Sequence, residues 1–273
     1  MDAWRDRAEA LSYNEEANLL VNSTSGFRLK VGVVTPSVNT VVQPEYDAMR
    51  PFGVTNHVSR IHIAERQIDN DDDYRAVVHA IDGALDAAVA SVLTCEPDCV
   101  VLGVSIEAVY GGGVDAASRL QERLVAQFGN AAASLVHAAD ALPAALRALG
   151  IDGGEVGVLT PYMPAADADL RLFVKQVGYE YGHAVHLQSP STLAIARTPE
   201  KTLRRALSEI AETKPKAIIQ FGANLEMARL AAEAERWLEI PVVAVNTATY
   251  WHALRTNGVL DQRGEFGFLF AEC

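Results

Sequence analysis

Short, continuous runs of apolar residues alternate with longer segments of mixed polarity along most of the chain. Continuous apolar runs indicate strands that are buried on both faces, as in a parallel sheet. We predict such strands at residues 29–35, 57–63, 99–104, 134–137, 155–160, 181–187, 217–221 and 242–245. The intervening segments predict helices near residues 40–50, 73–93, 114–127, 140–149, 164–177, 200–213, 225–238 and 248–256. This alternation predicts an α/β fold made of right-handed βαβ units.

The helix predicted over residues 73–93 is amphipathic. Apolar residues that recur with helical periodicity share one face, and that face should pack against a sheet. Here the face holds Val77, Val78, Ile81, Leu85, Ala88 and Val92. The acidic run at 69–73 just before it predicts the helix N-terminus, where carboxylates complement the helix dipole and short polar side chains cap free N–H groups.

The same apolar pattern occurs twice in the chain. Residues 31–36 (VGVVTP) return as 156–161 (VGVLTP), residues 100–105 resemble 217–222, and residues 145–150 resemble 253–258. Three matches in the same order indicate a duplicated α/β unit. Each copy predicts a four-stranded, doubly wound half. Because ligands bind beyond the carboxyl ends of such strands, two halves that face each other would enclose one cleft.

These patterns divide the chain into three parts. Residues 1–28 are expected to form a helical extension, with a helix over 3–20 and a polar connection at 22–26. The first half is predicted to comprise 29–140 joined by the C-terminal segment 246–273, and the second half 141–245. A helical arm of this kind is typical of an oligomer interface, so we expect a homo-oligomer.

The composition narrows the classes of partner. A net charge of −12 argues against nucleic acid, because binding phosphates requires a basic face. No apolar run approaches the ~20 residues that span a bilayer, and the N-terminal residues lack the apolar core of a signal peptide. We therefore expect a cytoplasmic protein with no membrane partner.

Metal and disulfide chemistry find little support in the sequence. The three cysteines, Cys95, Cys99 and Cys273, are an odd and low number that does not indicate a disulfide framework. They also lack further ligands at the spacing of a zinc site. His183 and His186 should point to opposite faces of a strand, because side chains alternate along it. The sequence predicts no metal site.

Polar residues follow the first strand of the first half. Pro36, Ser37, Asn39 and Thr40 lead into the next helix. Free backbone N–H groups and short polar side chains at a helix N-terminus can bind an anion. The same residues can instead serve as an ordinary helix cap, and the sequence leaves both readings open.

Other strand ends carry further candidates. Tyr162 follows the duplicate of the first strand, and Ser105, Ile106 and Glu107 follow the third strand. The corresponding end in the second half reads Gly222-Ala223-Asn224. A carboxyl group in a dry cleft has a raised pKa and can act as a general acid or base, although Glu107 can also be a solvated loop residue.

Several of these motifs resemble a known family. They are Pro36-Ser37-x-Asn39-Thr40, Ser59-Arg60, Thr160-Pro161-Tyr162, Ile195-Ala196-Arg197-x-x-Glu200 and Ile240-Pro241-Val242-Val243. Over residues 29–260 the chain resembles the maleate cis-trans isomerase and arylmalonate decarboxylase branch of the aspartate/glutamate racemase superfamily. The resemblance implies two Rossmann-like halves related by a pseudo-twofold axis, with a small carboxylate held in the cleft between them and no cofactor or metal.

The resemblance also implies a set of substrate-binding residues. Carried over to this chain, they are Ser37, Asn39, Thr40, Tyr162, Ile106 and Ala223, to which we add the neighbouring strand-end positions Pro36, Gly222 and Asn224. The family racemases carry one cysteine at the third-strand end of each half, and the decarboxylases keep one. In this register those positions hold Ser105 and Gly222, so a thiol mechanism is not expected.

We therefore expect a cofactor-independent enzyme that acts on a small carboxylate as an isomerase, a decarboxylase or another lyase. Preorganised amides and hydroxyls would stabilise an enediolate or oxyanion, and proton transfer would fall to Ser105, Glu107 or Tyr162. The alternative is a non-catalytic binding or regulatory protein that has kept the carboxylate site and lost the thiols.

Overall fold

Two four-stranded parallel sheets organise residues 25–273, which the computed structural model describes. The first sheet has the order β2-β1-β3-β4, with β1 at Leu29–Pro36, β2 at Val54–Ile61, β3 at Cys99–Leu102 and β4 at Leu135–Val136. The second has the order β6-β5-β7-β8, with β5 at Glu155–Thr160, β6 at Glu180–His186, β7 at Ala217–Gln220 and β8 at Val242–Ala244. The identical strand order confirms the predicted α/β duplication.

Helices follow the strands as the alternation predicts. In the first half they are α1 (Val42–Met49), α2 (Asp71–Leu93), α3 (Val114–Phe128) and α4 (Ala138–Ala148). The later part of the chain forms α5 (Asp167–Gln176), α6 (Thr192–Ala196), α7 (Glu200–Ala211), α8 (Ala228–Leu238), α9 (Val245–Thr256) and α10 (Phe268–Glu272). The short helices α6 and α10 were not predicted, because one turn and a half carries no periodic signal. The helix expected at 3–20 lies outside the described residues.

Helix α2 begins where the acidic run predicts. The Asn70 side chain accepts hydrogen bonds from the N–H groups of Asp72 and Asp73, so this segment is a helix cap. The apolar face of α2 packs against β1 and β2. Among the described residues, α2 is also the one helix long and apolar enough to cross a membrane by length and composition. Its packing on the sheet is that of a core helix.

The chain returns to the first sheet after β8. Helix α9 packs against α4, α1 and β3. Tyr46 of α1 stacks on Tyr250 of α9, with ring centroids 4.7 Å apart, and its hydroxyl lies 2.8 Å from Thr249 Oγ1. These contacts join the C-terminal segment to the first half. The exact domain boundaries stay a prediction.

The loops beyond the carboxyl ends of both sheets meet one another. Thr40, after β1, donates its backbone N–H to Asn224 Oδ1, after β7, at 3.0 Å. Ala223 donates its N–H to Ser105 Oγ, after β3, at 3.2 Å. The two halves therefore face each other across the edge where parallel α/β sheets bind ligands.

Close packing of α7 on β5 gives a test of this arrangement. A Cβ atom on Gly157 of β5 would lie 2.2 Å from Ile210 Cγ2, whereas one on Gly83 of α2 would meet nothing within 4 Å. We expect Gly157→Ala to lower the free energy of unfolding by about 1–3 kcal/mol through overpacking. Gly83→Ala should raise it by about 0.5–1 kcal/mol through helix propensity. Urea denaturation measures both, and equal effects would contradict the packing described.

Candidate active site

A small cavity lies where the two halves meet. Its volume is about 70 Å³, roughly half that of the engineered ~150 Å³ cavity that admits benzene. Of the residues predicted to form the site, those that line it are Pro36, Asn39, Ser105, Ile106, Tyr162, Gly222, Ala223 and Asn224. The loops after β1, β3, β5 and β7 thus converge on one point, as the duplicated topology requires.

Ser105 joins three of these loops. Its hydroxyl oxygen lies 2.8 Å from the Tyr162 hydroxyl, which follows β5. The same oxygen accepts the N–H of Ala223, which follows β7. Ser105 is 1% exposed, so this contact between the halves is shielded from bulk water. Buried hydrogen bonds of this kind fix the relative positions of their partners.

The Ser105–Tyr162 pair has one hydroxyl proton to spare. The two residues carry two O–H groups, and the bond between them uses one proton. Within residues 25–273 neither hydroxyl has another acceptor, because the remaining bond to Ser105 comes from the Ala223 amide. The second proton is therefore available to a ligand oxygen in the cavity, whichever of the two residues carries it.

Tyr74, at the start of α2, supplies a second free hydroxyl that the sequence did not reveal. It lines the cavity and is 3% exposed, yet its hydroxyl has no hydrogen-bond partner among the described residues. Its ring centroid lies 5.6 Å from that of Tyr162. A buried hydroxyl without a partner is costly, and such groups are typical of ligand sites.

Both phenols remain protonated at neutral pH. Burial raises the pKa of Tyr162, and the charge on a nearby ionised Glu107 would raise it further. The bonds from Ser105 and from the Ile106 amide act in the opposite direction but do not offset these effects. Burial likewise raises the pKa of Tyr74. The two tyrosines are therefore hydrogen-bond donors.

Most of the remaining cavity wall is aliphatic. Val77, Val78 and Ile81 contribute from α2, and Ile63 and Ile68 from the loop after β2. The face of α2 that the periodicity predicts as core is therefore partly a cavity wall. Among the described lining residues there is no Asp, Glu, Lys, Arg, His or Cys. The cavity therefore presents neutral hydrogen-bond donors within an apolar enclosure.

Two loops close over this cavity, one from each half. Ile68 donates its N–H to Pro190 O at 2.9 Å. The Glu65 carboxylate accepts the Thr192 hydroxyl and, at 3.2 Å, the Leu193 N–H at the start of α6. Sequence analysis missed this closure because its members are distant in the chain and belong to no periodic element.

Ser37 and Thr40 lie away from the place in the cavity wall where the sequence analysis expects them. Neither residue lines the cavity. The Ser37 hydroxyl donates to Ile63 O at 2.9 Å, and the Thr40 N–H donates to Asn224 Oδ1. Asn39 lines the cavity, but its Oδ1 accepts the N–H groups of Val41 and Val42. Of the two open readings, this loop follows the capping one.

Glu107 is also displaced from its predicted place. It is buried, but it lines a separate groove of about 280 Å³ between α2 and α3. Arg119 and Arg123 line the same groove. No described group makes a hydrogen bond to either carboxyl oxygen of Glu107, and burial raises its pKa to about 8. Glu107 is therefore a neutral acid outside the cavity lining, close enough for its charge to affect Tyr162.

Gly222 has no room for a side chain. Its φ is +138°, and a Cβ atom would lie 2.3 Å from Pro161 Cδ. A cysteine at this position would therefore require the backbone of this chain to shift. The three cysteines lie elsewhere. Cys99 begins β3, at the opposite end from Ser105, and burial raises its pKa to about 12.

The histidine pair on β6 behaves as the strand alternation predicts. His183 contacts Glu209 and His186 contacts Asp167, so the two side chains have different partners. Over residues 25–273 no cluster of three or more His, Cys, Asp or Glu side chains is arranged to hold a metal ion.

A protein-family model matches most of the chain. The family model described as arylmalonate decarboxylase matches residues 31–270. None of the curated proteins matches the chain at the level of sequence.

Solved structures show the same fold. The Nocardia farcinica maleate cis-trans isomerase bound to TRIS has a TM-score of 0.79 and 20% identity, covering 89% of this chain and 98% of its own. A mutant of that enzyme with a covalently bound succinylcysteine intermediate has a TM-score of 0.72 and 21% identity, covering 84% and 92%. Unliganded arylmalonate decarboxylase has a TM-score of 0.67 and 21% identity, covering 89% and 98%.

The two cavity tyrosines should differ in their effect on stability. Tyr162→Phe removes a buried hydrogen bond to Ser105, so we expect a loss of about 1 kcal/mol in the free energy of unfolding. Tyr74→Phe removes a hydroxyl that bonds to no group in residues 25–273, so its effect should be neutral or stabilising. Chemical denaturation of the ligand-free protein compares them. An equal loss in Tyr74→Phe would show that its hydroxyl is already bonded.

The buried acid Glu107 should make stability depend on pH. Its folded pKa of about 8 lies above the unfolded value of about 4.3, so the ionised form disfavours folding. The wild type should therefore lose stability relative to Glu107→Gln as pH rises from about 4.5 to 8, by ~3–5 kcal/mol in all. Denaturation at several pH values measures this difference.

Glu212→Gln, which changes an exposed carboxylate at the end of α7, controls for the loss of a charge. A constant difference between wild type and Glu107→Gln across this pH range would mean that the carboxyl group is solvated.

Proposed function

The chain belongs to the arylmalonate decarboxylase family, and we propose from this premise that it is a cofactor-independent enzyme that breaks a bond next to the carboxyl group of a small acid. Its family acts on small carboxylates. Loss of carbon dioxide from a malonate-type acid with an apolar substituent is the reaction that the cavity supports best. Cis-trans isomerisation and other lyase steps are the alternatives.

One observation carries this proposal. Two neutral O–H donors that have no acceptor among the described residues meet in an apolar cavity, one from the Ser105–Tyr162 pair and one from Tyr74. Preorganised donors of this kind stabilise negative charge that develops on oxygen, and they do so most strongly where water is excluded. Two donors suit the two oxygens of one carboxyl group as it becomes an enediolate.

The aliphatic wall supports a substrate with an apolar part. Val77, Val78 and Ile81 would contact a substituent on the carbon that bears the carboxyl groups. Neither a malonate nor maleate finds a described cationic side chain in the lining to pair with its two carboxylates, so charge does not distinguish the two acids. The aliphatic wall does distinguish them, because it offers apolar contacts to a hydrophobic substituent that maleate lacks.

The reaction then proceeds in two steps. The bond between the α-carbon and the departing carboxyl group breaks, and carbon dioxide leaves. The bonding electron pair moves into the remaining carboxyl group, which becomes an enediolate held by the two donors. A proton from the Ser105–Tyr162 pair then adds to the α-carbon, and solvent replaces that proton. The enediolate is the charged intermediate that the donors are arranged to stabilise.

A covalent thiol route is not part of this proposal. The Nocardia farcinica enzyme forms a succinylcysteine intermediate, but no cysteine is among the described residues that line this cavity. Ser105 has no adjacent base, and a serine hydroxyl without one is a poor nucleophile. Its hydrogen bonds instead suit a role as donor and proton source.

Glu107 would act indirectly in this scheme. It does not line the cavity, so it does not touch the substrate. Burial raises its pKa to about 8, which makes it a neutral acid at physiological pH, and its ionisation would raise the pKa of Tyr162. We assign it the role of a neutral neighbour, which places no negative charge behind the cavity where such a charge would oppose the developing enediolate.

Turnover of a panel of acids tests the proposal. The panel includes phenylmalonate, alkylmalonates and maleate, with release of carbon dioxide and loss of maleate as readouts. Ser105→Ala and Tyr162→Phe should each lower kcat by ~10²–10³-fold, the usual effect of losing an oxyanion donor. Product formed in D₂O should carry one deuterium on the α-carbon.

Tyr179→Phe is the matched control. Tyr179 is a buried tyrosine whose hydroxyl donates to Ile151 O at 2.7 Å, outside the cavity lining. Its replacement should leave kcat within a few-fold of wild type. If no acid on the panel is turned over, and the Ser105 and Tyr162 variants bind these acids as the parent does, the chain is a binding protein and the proposal is wrong.

A further inference from the structure

A buried carboxylate connects the two halves behind the cavity. Glu45 belongs to α1 and is 8% exposed. Its Oε1 accepts the N–H groups of Met227 and Ala228, each at 2.8 Å, where α8 of the other half begins. Its Oε2 accepts Nδ2 of Asn246 at 2.7 Å. Three donors from two distant segments therefore converge on one side chain.

Asn246 carries this connection to the cavity. It lies at the start of α9, and its Nδ2 has two hydrogens. One goes to Glu45, and the other goes to the backbone carbonyl of Ala223 at 2.9 Å. Ala223 is the residue whose N–H bonds to Ser105. A continuous series of hydrogen bonds thus runs from Glu45 through Asn246 and Ala223 to the Ser105 hydroxyl.

The backbone around Ala223 needs such support. It follows Gly222, whose φ of +138° lies in the region that favours glycine. Because glycine has no side chain to restrict its backbone angles, the local sequence alone does not fix the orientation of the next peptide group. Beyond the Ser105 hydroxyl, the only described partner of the Ala223 peptide groups is Asn246. The direction of the Ala223 N–H therefore depends on what holds its carbonyl group.

We propose that Glu45 is a positioning residue, which fixes Asn246 and thereby aims the Ala223 amide at Ser105. This inference rests on the function proposed above, because the Ser105 hydroxyl is the group whose position matters for turnover. Glu45 does not line the cavity and makes no contact with substrate. It acts on the reaction by keeping the loop after β7 in position next to Ser105, which follows β3.

A carboxylate is needed at position 45 because all three groups around it donate. In Glu45→Gln the amide oxygen can still accept from Met227 and Ala228. The new NH₂ group then faces the NH₂ group of Asn246, and two donors cannot bond to each other. The Asn246 amide must turn or move away, so the Ala223 carbonyl loses its partner.

Glu235 offers a matched control within the same chain. It is also buried, at 3% exposure, and it also accepts two backbone N–H groups, from Val242 at 3.1 Å and from Phe268 at 2.8 Å. Burial raises the pKa of each carboxyl group, Glu45 and Glu235, to about 7. Glu235 has no hydrogen bond to Asn246 or Ala223. Glu235→Gln therefore reproduces the loss of a buried carboxylate without touching the cavity.

The test is amide hydrogen exchange at Ala223, read by NMR on the full chain and normalised to global unfolding. In Glu45→Gln this amide should exchange at least about tenfold faster than in wild type. Asn246→Ala, which keeps the Glu45 bonds to α8, should give a similar acceleration even if Glu45→Gln does not fold. Glu235→Gln should leave exchange at Ala223 unchanged.

Turnover and exchange separate this proposal from the proposed function. If an acid is turned over, Glu45→Gln and Asn246→Ala should lower kcat by about tenfold or more with little change in KM, and the double variant should be no worse than either single one. If nothing is turned over, the proposed function is wrong, and exchange alone decides the role of Glu45. Exchange at Ala223 that stays slow in Asn246→Ala, or an equal acceleration in Glu235→Gln, overturns the proposal.

Discussion

The site depends on a single shared oxygen. Ser105 Oγ lies between the Tyr162 hydroxyl and the Ala223 amide, which belong to the other half of the molecule. Each of these groups follows a different parallel strand, so the contact exists only while the two sheets keep their relative position. A shift of about 1 Å would break bonds of this length. The packing around the cavity holds the loops after β3, β5 and β7 together.

Polar side chains around the cavity fall into two groups: those that bond to other parts of the protein, and one that has no described partner. Asn224 and Glu65 join loops of opposite halves, and Glu45 fastens α1 to the beginning of α8. Tyr74, in contrast, keeps a hydroxyl with no described protein partner. Buried polar groups are normally satisfied. The contrast between satisfied supports and an unsatisfied hydroxyl distinguishes the framework of the cavity from its functional surface.

The described lining of the cavity holds no charged side chain, and this limits the chemistry that it can support. Neutral phenols and amides line it against aliphatic walls, while the acid Glu107 lies behind the wall with a raised pKa of about 8. Charge that develops on a ligand oxygen meets donors that are already in place and little competing water. In the proposed reaction, such a site would select for the position of a negative charge, and the size and shape of its apolar wall would select for the rest of the ligand.

The sequence by itself determined the fold, since apolar periodicity and the repeat of residues 31–36 at 156–161 act locally and along the chain. It also located Ser105, Tyr162 and Ala223 at strand ends that must converge. Only the tertiary structure decided that Ser37 bonds to the backbone of Ile63, that Glu107 faces another groove, and that Tyr74 enters the cavity. The reason is physical: topology fixes where a strand ends, whereas side-chain direction depends on neighbours that are distant in the sequence.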